Sequence, residues 1–332
     1  MTPDQKSLVD LADQILRGRT TNERLAEVEA SETRIDERLW AELAAAGLVG
    51  IAVPEEYGGA DLGLTEICLL LEQHGRRLAL LPLWENAVAA YVLARSGNDE
   101  LCATWLPGVA AGTSRLTLAA DLGGGDRPVA SGMAAQAAVV VSADDVRLVS
   151  LEGIARTPVE TTTHALAADL DLATAAGQPL GVDGGWVRDV ARVGLAAGLL
   201  GNTDEGVREA ASYLTSREQF GRPLATFQAV SQQLGDGYCD VQAMRATLWQ
   251  AVWALERAAK EEGTDARREV DVATWWACDA GVRVQTVVQH LHGGMGADTT
   301  YPVHRRLLWA LRTDALLGGA SRQLARLGPA LV

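Results

Sequence analysis

The chain has 332 residues, 48% of them hydrophobic and 22% charged, and a formal net charge of -14. That is enough apolar material for two or three units around large cores, and it excludes the low-hydrophobicity composition of disordered chains. The negative balance argues against a nucleic acid partner, which needs a basic patch to displace counterions, but a small anion held by a few local Arg residues remains compatible with it.

The amino-terminal stretch MTPDQKSLVD is polar where an export signal needs an apolar core. No run approaches the roughly 20 apolar residues of a membrane span, so a soluble, cytoplasmic protein is expected. Cys68, Cys102, Cys239 and Cys278 show no metal-ligand or redox spacing and read as reduced packing residues.

Residues 1–112 read as an all-helical first unit. Leu39, Trp40, Leu43 and Leu48 mark one amphipathic stretch and Leu64 to Leu71 begins another, separated by the loop IAVPEEYGG at Ile51 to Gly59. Residues 113–183 change to short β-branched runs broken by Gly, Asp and Pro. The triplet Val139, Val140, Val141 and the pair Val146, Leu148 flank Ala143-Asp144-Asp145 as a hairpin turn, and no aromatic residue lies between Trp105 and Trp186. Gly123-Gly124-Gly125-Asp126 lacks the spacing of a nucleotide loop and reads as a turn.

Residues 184–332 return to long helices. Phe227, Val230, Leu234, Tyr238, Val241, Met244, Leu248, Val252 and Leu255 recur in steps of three and four, which predicts one buried stripe along a helix. Trp186 to Gln219, Thr264 to Leu291 and Arg305 to Leu327 supply three more helices. Breaks at Gly221-Arg222-Pro223, Glu262-Gly263-Thr264 and His292-Gly293-Gly294 predict an antiparallel four-helix bundle. His290, His292 and His304 share no helical face and no carboxylate completes a ligand set, so no metal is expected.

Arg217 and Phe220, three apart, are expected on one face of a helix end, a cation beside an aromatic ring. That pairing suits a pyrophosphate and a flat ring, although an isolated pair of this kind is usually an exposed Arg near a core Phe. Gln228 offers a donor and an acceptor at the next helix start. Gly293 and Gly294 let a backbone approach a ligand closely, or simply stop a helix.

The order helical unit, small β unit, helical bundle resembles the acyl-CoA dehydrogenases. LAAAGLVGIAVPEEYGGADLGLTE, Leu43 to Glu66, is similar to that family's amino-terminal signature. SREQFGRPLATFQAV, Ser216 to Val230, and HLHGGMGADTTYPVHR, His290 to Arg305, resemble its two flavin-contacting segments. In that family the adenine end of each flavin is held by a neighbouring subunit. The resemblance therefore implies that Arg217, Phe220, Gln228, His290, Gly293 and Gly294 serve an FAD whose reactive ring sits in another chain. His290 departs from the usual Gln there.

The family's reaction removes a weakly acidic proton α to a thioester carbonyl and passes the β hydrogen to the flavin as hydride. That needs a positioned carboxylate base, worth a factor on the order of a hundred to ten thousand. By resemblance the base falls at Leu317, or at Gly318 if the match slips by one, and in a minority of members at Ala191, before Arg192. No carboxylate stands at any of them, and the nearest, Asp189 and Asp314, lie two or three residues away. LAADLGGGD, Leu118 to Asp126, replaces the loop that contacts the flavin ring, and no aromatic follows it.

The chain thus resembles the non-catalytic subunit of the actinobacterial α2β2 acyl-CoA dehydrogenases that act on steroid side-chain thioesters, in cholesterol catabolism among other pathways. The alternatives are a self-sufficient homotetramer using Asp189 or Asp314, and a binding or scaffold protein without flavin.

Overall fold

A computed structural model describes residues 1–125, 128–143, 145–261 and 264–328. Six helices come first: α1 Pro3–Arg19, α2 Asn22–Glu29, α3 Glu37–Ala45, α4 Leu64–Arg77, α5 Leu83–Ala94 and α6 Asp99–Ala110. Their starts are written locally. Thr2 and Gln5 form a reciprocal cap on α1, and Thr21, Asp36 and Asn98 each accept a backbone N–H at the start of α2, α3 and α6. The IAVPEEYGG loop carries a single 3-10 turn at Glu55–Tyr57.

Seven strands follow: β1 Leu116–Ala120, β2 Val129–Ala130, β3 Ala137–Val141, β4 Val146–Ser150, β5 Arg156–Glu160, β6 Leu166–Leu170 and β7 Gln178–Pro179. They form a four-stranded sheet in the order β1-β3-β4-β7 and a three-stranded sheet β2-β6-β5. β3 runs parallel to β1 and antiparallel to β4. Strand alternation divides β3 between two cores: Ala137, Val139 and Val141 join the main core shared with the helices, whereas Ala138 and Val140 join a small cluster with Val149, Leu151 and Leu172. The β3–β4 hairpin forms as the pattern predicts, with Asp144 outside the described residues.

The remaining helices are α7 Gly184–Ser216, α8 Gln228–Ala258, α9 Arg267–Leu291, α10 Val303–Leu317 and α11 Ala320–Leu327, with a two-stranded hairpin β8 Glu218–Gln219 and β9 Arg222–Pro223 between α7 and α8. Asp183 starts α7 by accepting the Trp186 N–H at 2.7 Å. Glycines let α4 and α7 cross closely. A methyl group at Gly75 would fall 1.8 Å from the Gly198 carbonyl oxygen, and one at Gly201 would fall 1.9 Å from that of Glu72.

Three sequence expectations need correction. The helix expected from Arg305 to Leu327 is two, because Gly318 and Gly319 take φ of 86° and 82°, a left-handed conformation that ends α10. The stripe on α8 is buried from Val241 to Leu255, but its first half is not: Tyr238 is 57% exposed and Val230 and Leu234 are only half-buried. Finally, α7 ends at Ser216, so Arg217 and Phe220 do not share a helix face. Of the expected break at Glu262-Gly263-Thr264, the first two residues lie outside the described residues, as do residues 329–332. No described helix is long and apolar enough to cross a membrane.

Candidate functional site

The chain leaves α7 at Arg217, whose N–H still bonds the Tyr213 carbonyl at 2.8 Å, and turns back at once. Phe220 and Gly221 have φ of 54° and 78° between the paired residues Gln219 and Arg222. Two consecutive positive φ values give a turn whose twist matches a tight hairpin. Phe220 is left 90% exposed, edge-on to Phe227 at 6.0 Å. The Arg222 guanidinium lies 4.1 Å over the Phe227 ring, so the cation beside an aromatic is Arg222 rather than Arg217. Arg217 itself is exposed, and no salt bridge joins it to any acidic side chain among the described residues. Gln228 is the exposed first residue of α8.

The end of α9 comes to the same place. Tyr213, one turn before Arg217, stacks on His292 with ring centroids 4.6 Å apart, and His292 meets Tyr301 at 5.5 Å. His292 is buried and its Nδ1 bonds the Val288 carbonyl at 2.7 Å; a carbonyl only accepts, so Nδ1 carries the proton. Just beyond it, His290, Gly293 and Gly294 are exposed. A methyl group at Gly293 or Gly294 would meet nothing within 4 Å. The six residues flagged for the cofactor are therefore gathered at one solvent-facing end of the bundle. The aromatic stack that joins their segments was missed, since no local pattern brings Tyr213 to His292.

The positions at which the resemblance puts the base look different. Ala191 and Leu317 are fully buried, and the Ala191 carbonyl accepts the Trp84 indole N–H at 3.0 Å. The adjoining Arg192 is buried too, bonded to Asp189 at 3.1 Å, Asp271 at 2.6 Å and Thr274 at 2.9 Å, and to Gln323 of α11. Gln323 also donates to the Leu317 carbonyl. Burial raises the carboxyls of Asp189 and Asp314 above the ordinary carboxylate value, opposed in Asp189 by Arg192 and in Asp314 by a bond to Cys278.

The glycine loop after β1 lies on this region. Asp121 accepts the N–H groups of Gly123 at 2.8 Å and Gly125 at 2.9 Å, the side-chain-to-backbone pattern of a local turn. Burial acts to raise Asp121, and those two bonds outweigh it, holding the carboxyl below its usual value. A methyl group at Gly318 would fall 2.1 Å from the Gly123 carbonyl oxygen, and one at Gly123 would fall 2.5 Å from that of Leu317. The loop backbone thus rests directly on the turn at the base position, and Arg322 donates to the Gly123 carbonyl from α11. The turn expected at 123–126 is present as far as Gly125; Asp126 lies outside the described residues.

Residues 2–113 match the amino-terminal domain of acyl-CoA dehydrogenase, and residues 187–329 match its carboxyl-terminal domain. The chain belongs to the acyl-CoA dehydrogenase family. Members of this family are FAD-dependent oxidoreductases. Acyl-CoA dehydrogenase FadE27 of Mycobacterium tuberculosis is 36% identical, the alignment covering 98% of this chain and 96% of that protein. Among solved structures, one described as a Tcur3481-Tcur3483 steroid ACAD G363A variant is similar at 41% identity and a TM-score of 0.91, covering 99% of this chain and 97% of the other. The ChsE4-ChsE5 complex from Mycobacterium tuberculosis contains a chain 34% identical, with a TM-score of 0.90 over 100% of this chain and 98% of that one.

The bundle end suits part of FAD. Its exposed Arg217 suits a phosphate, and its open Gly293 and Gly294 leave room for a ligand close to the backbone. Around Gly318 the backbone of Gly123 already lies against the turn, so a side chain there would overlap it.

Proposed function

We propose that this chain is the non-catalytic subunit of an FAD-dependent acyl-CoA dehydrogenase that desaturates a bulky acyl-CoA between the α and β carbons. Its helical, β and bundle units are taken as residues 1–112, 113–183 and 184–332. The observation that carries this reading is the contact of Gly123 on Gly318: the loop that faces a flavin ring in active members lies on the expected base turn, whose residues 317–319 are Leu, Gly and Gly, with the Asp314 carboxylate 3.7 Å from a methyl group built at Gly319.

The partner is read as a catalytic acyl-CoA dehydrogenase chain in an α2β2 assembly. Similarity to chains of two complexes, one described as a steroid ACAD, supports a partner and a steroid side-chain thioester as substrate. The first half of α8, where Tyr238 is exposed and Val230 and Leu234 are half-buried, supplies a partly apolar face for that partner to cover.

Bound FAD supplies the hydride acceptor for the β hydrogen. The role of this chain's residues is to bind and orient. Arg217 would hold the pyrophosphate through its guanidinium, Phe220 would pack beside the nucleotide, and Gln228 and His290 would offer polar contacts. Gly293 and Gly294 keep the backbone close and unobstructed. The proton at the α carbon is left to a carboxylate of the partner.

The flavin-to-protein ratio tests the assignment. The chain expressed alone is expected to be colourless or poorly soluble, and the co-expressed assembly is expected to carry one flavin for each pair of unlike chains. A yellow homotetramer with full flavin would instead support the self-sufficient reading. In the assembly, Asp189→Asn with Asp314→Asn is expected to leave turnover within a few fold, while loss of the partner's base costs at least about a hundredfold. A comparable loss from the Asp changes, with flavin and assembly intact, would assign the base to this chain.

A further inference from the structure

A groove of about 660 Å³ opens between α1, α4, α7 and α8. Its apolar wall is Val9 of α1, Leu69 of α4 and Trp249, Val252 and Trp253 of α8. Trp249 and Trp253 are one helical turn apart, so their indoles border the same stretch of the groove, and Trp253 is 53% exposed. None of the residues assigned to the cofactor or to the base lines it.

The groove also carries charge, and each of its arginines is already paired. Arg76 bonds Glu72 at 2.8 Å and Asp204 at 2.5 Å, and Arg245 bonds the same two carboxylates at 2.8 Å and 3.1 Å. Arg77 bonds Asp13 at 2.6 Å and Glu205 at 3.0 Å, while the exposed Arg17 and Arg208 pair with Asp13 and Asp204. An anionic ligand would have to break one of these pairs to gain its own. One buried polar group stands outside the network. Gln73 of α4 lines the groove at 6% exposure, and its side-chain amide makes no hydrogen bond to any described residue. A buried amide without partners costs free energy, and here both its donor and its acceptor are left for a ligand.

We propose that this groove binds an uncharged, largely apolar cyclic amide, held by its amide edge on Gln73 and by its rings against Trp249 and Trp253. The carboxamide of Gln73 presents a donor and an acceptor on one edge, at a separation fixed by its own covalent geometry. A cyclic amide holds its N–H and C=O on the same side, so it returns the complementary pair and satisfies both groups at once. A peptide segment does not, because its trans amide turns N–H and C=O to opposite sides. A hydrocarbon leaves Gln73 unpaired, and a carboxylate satisfies only the donor. The volume falls within the range of small-molecule sites, roughly 300–1,000 Å³. Every wall belongs to this chain, so the site does not depend on the non-catalytic assignment.

The purified protein, with whatever chain co-purifies, is titrated with carbostyril, a flat cyclic amide, by ligand-observed NMR. Saturable binding is expected. The N-methyl derivative keeps the rings and the carbonyl but lacks the donor, and should bind about tenfold more weakly. Gln73→Leu should lose about tenfold for carbostyril and bind the two compounds alike, and Trp253→Ala, at an exposed position, should weaken both. Substitutions in this chain alone separate the groove from any site in a partner. Absence of saturable binding to the parent, or undiminished binding to Trp253→Ala, overturns the site. Equal binding of the two compounds by the parent, or undiminished binding of carbostyril to Gln73→Leu, overturns recognition of the amide. If Gln73→Leu fails to fold by circular dichroism, the pair of compounds on the parent decides that recognition without it. Flavin content, measured in parallel, reports on the subunit assignment separately.

Discussion

Two glycine pairs in this chain sit in opposite surroundings. Gly293 and Gly294 end α9 in open space, beside an exposed Arg217 and Phe220. Gly318 and Gly319 end α10, and there Gly318 is pressed by the backbone of Gly123. A glycine pair says only that something comes close to the backbone. At the first pair that room is left for a ligand, and at the second it is taken by the chain itself. On the proposed reading, the difference separates a cofactor half-site that is kept from a reaction centre that is closed.

The comparison breaks most visibly at the closed centre. Arg192→Met leaves Asp189 buried without its ion-pair partner and Asp271 with only Arg326, at 3.6 Å, and the expected loss of stability is about 3–5 kcal/mol, read from urea unfolding. A loss below about 1 kcal/mol would mean that the ion cluster does not hold α11 over the base positions.

Gly318→Ala comes next. It adds a methyl group against the Gly123 carbonyl at a φ of 86°, so strain and overlap together are expected to cost about 2–4 kcal/mol. Unchanged stability would show that the loop can lift away, and the centre would no longer count as closed.

At the open pair the expected effects are smaller and fall on the cofactor. Arg217→Ala in the assembly should weaken flavin binding by about 1.5–3 kcal/mol without disturbing assembly, as measured by flavin titration of the apo complex. Gly294→Ala should change the unfolding free energy by less than about 0.5 kcal/mol, because its methyl meets no atom of this chain. A larger loss would place Gly294 in the protein's own packing and remove the contrast with Gly318.

Much of the fold was legible because its signals are local. Helix caps, the β3–β4 hairpin and the periodicity of α8 from Val241 onward are each written within a few residues. The first half of that same α8 pattern misled for a physical reason: apolar residues at helical spacing show that a face will be covered, without showing whether this chain or another covers it. Arg217 and Phe220 misled in a second way. Spacing of three implies a shared face only on a helix, and the positive φ of Phe220 and Gly221 made the segment a hairpin.

The sequence alone determined the order of the units, the long motifs of the family, and the absence of a carboxylate at 191, 317 and 318. These are statements about identity and short-range pattern, which survive without coordinates. Tertiary structure decided the rest: Tyr213 on His292, Gly123 on Gly318, and Glu85 and Arg312 in the lining of one cavity. Each joins residues distant along the chain whose meeting is set by how whole helices and strands pack. No local propensity encodes such a pairing, because the free energy that selects it is the burial of the entire shared core.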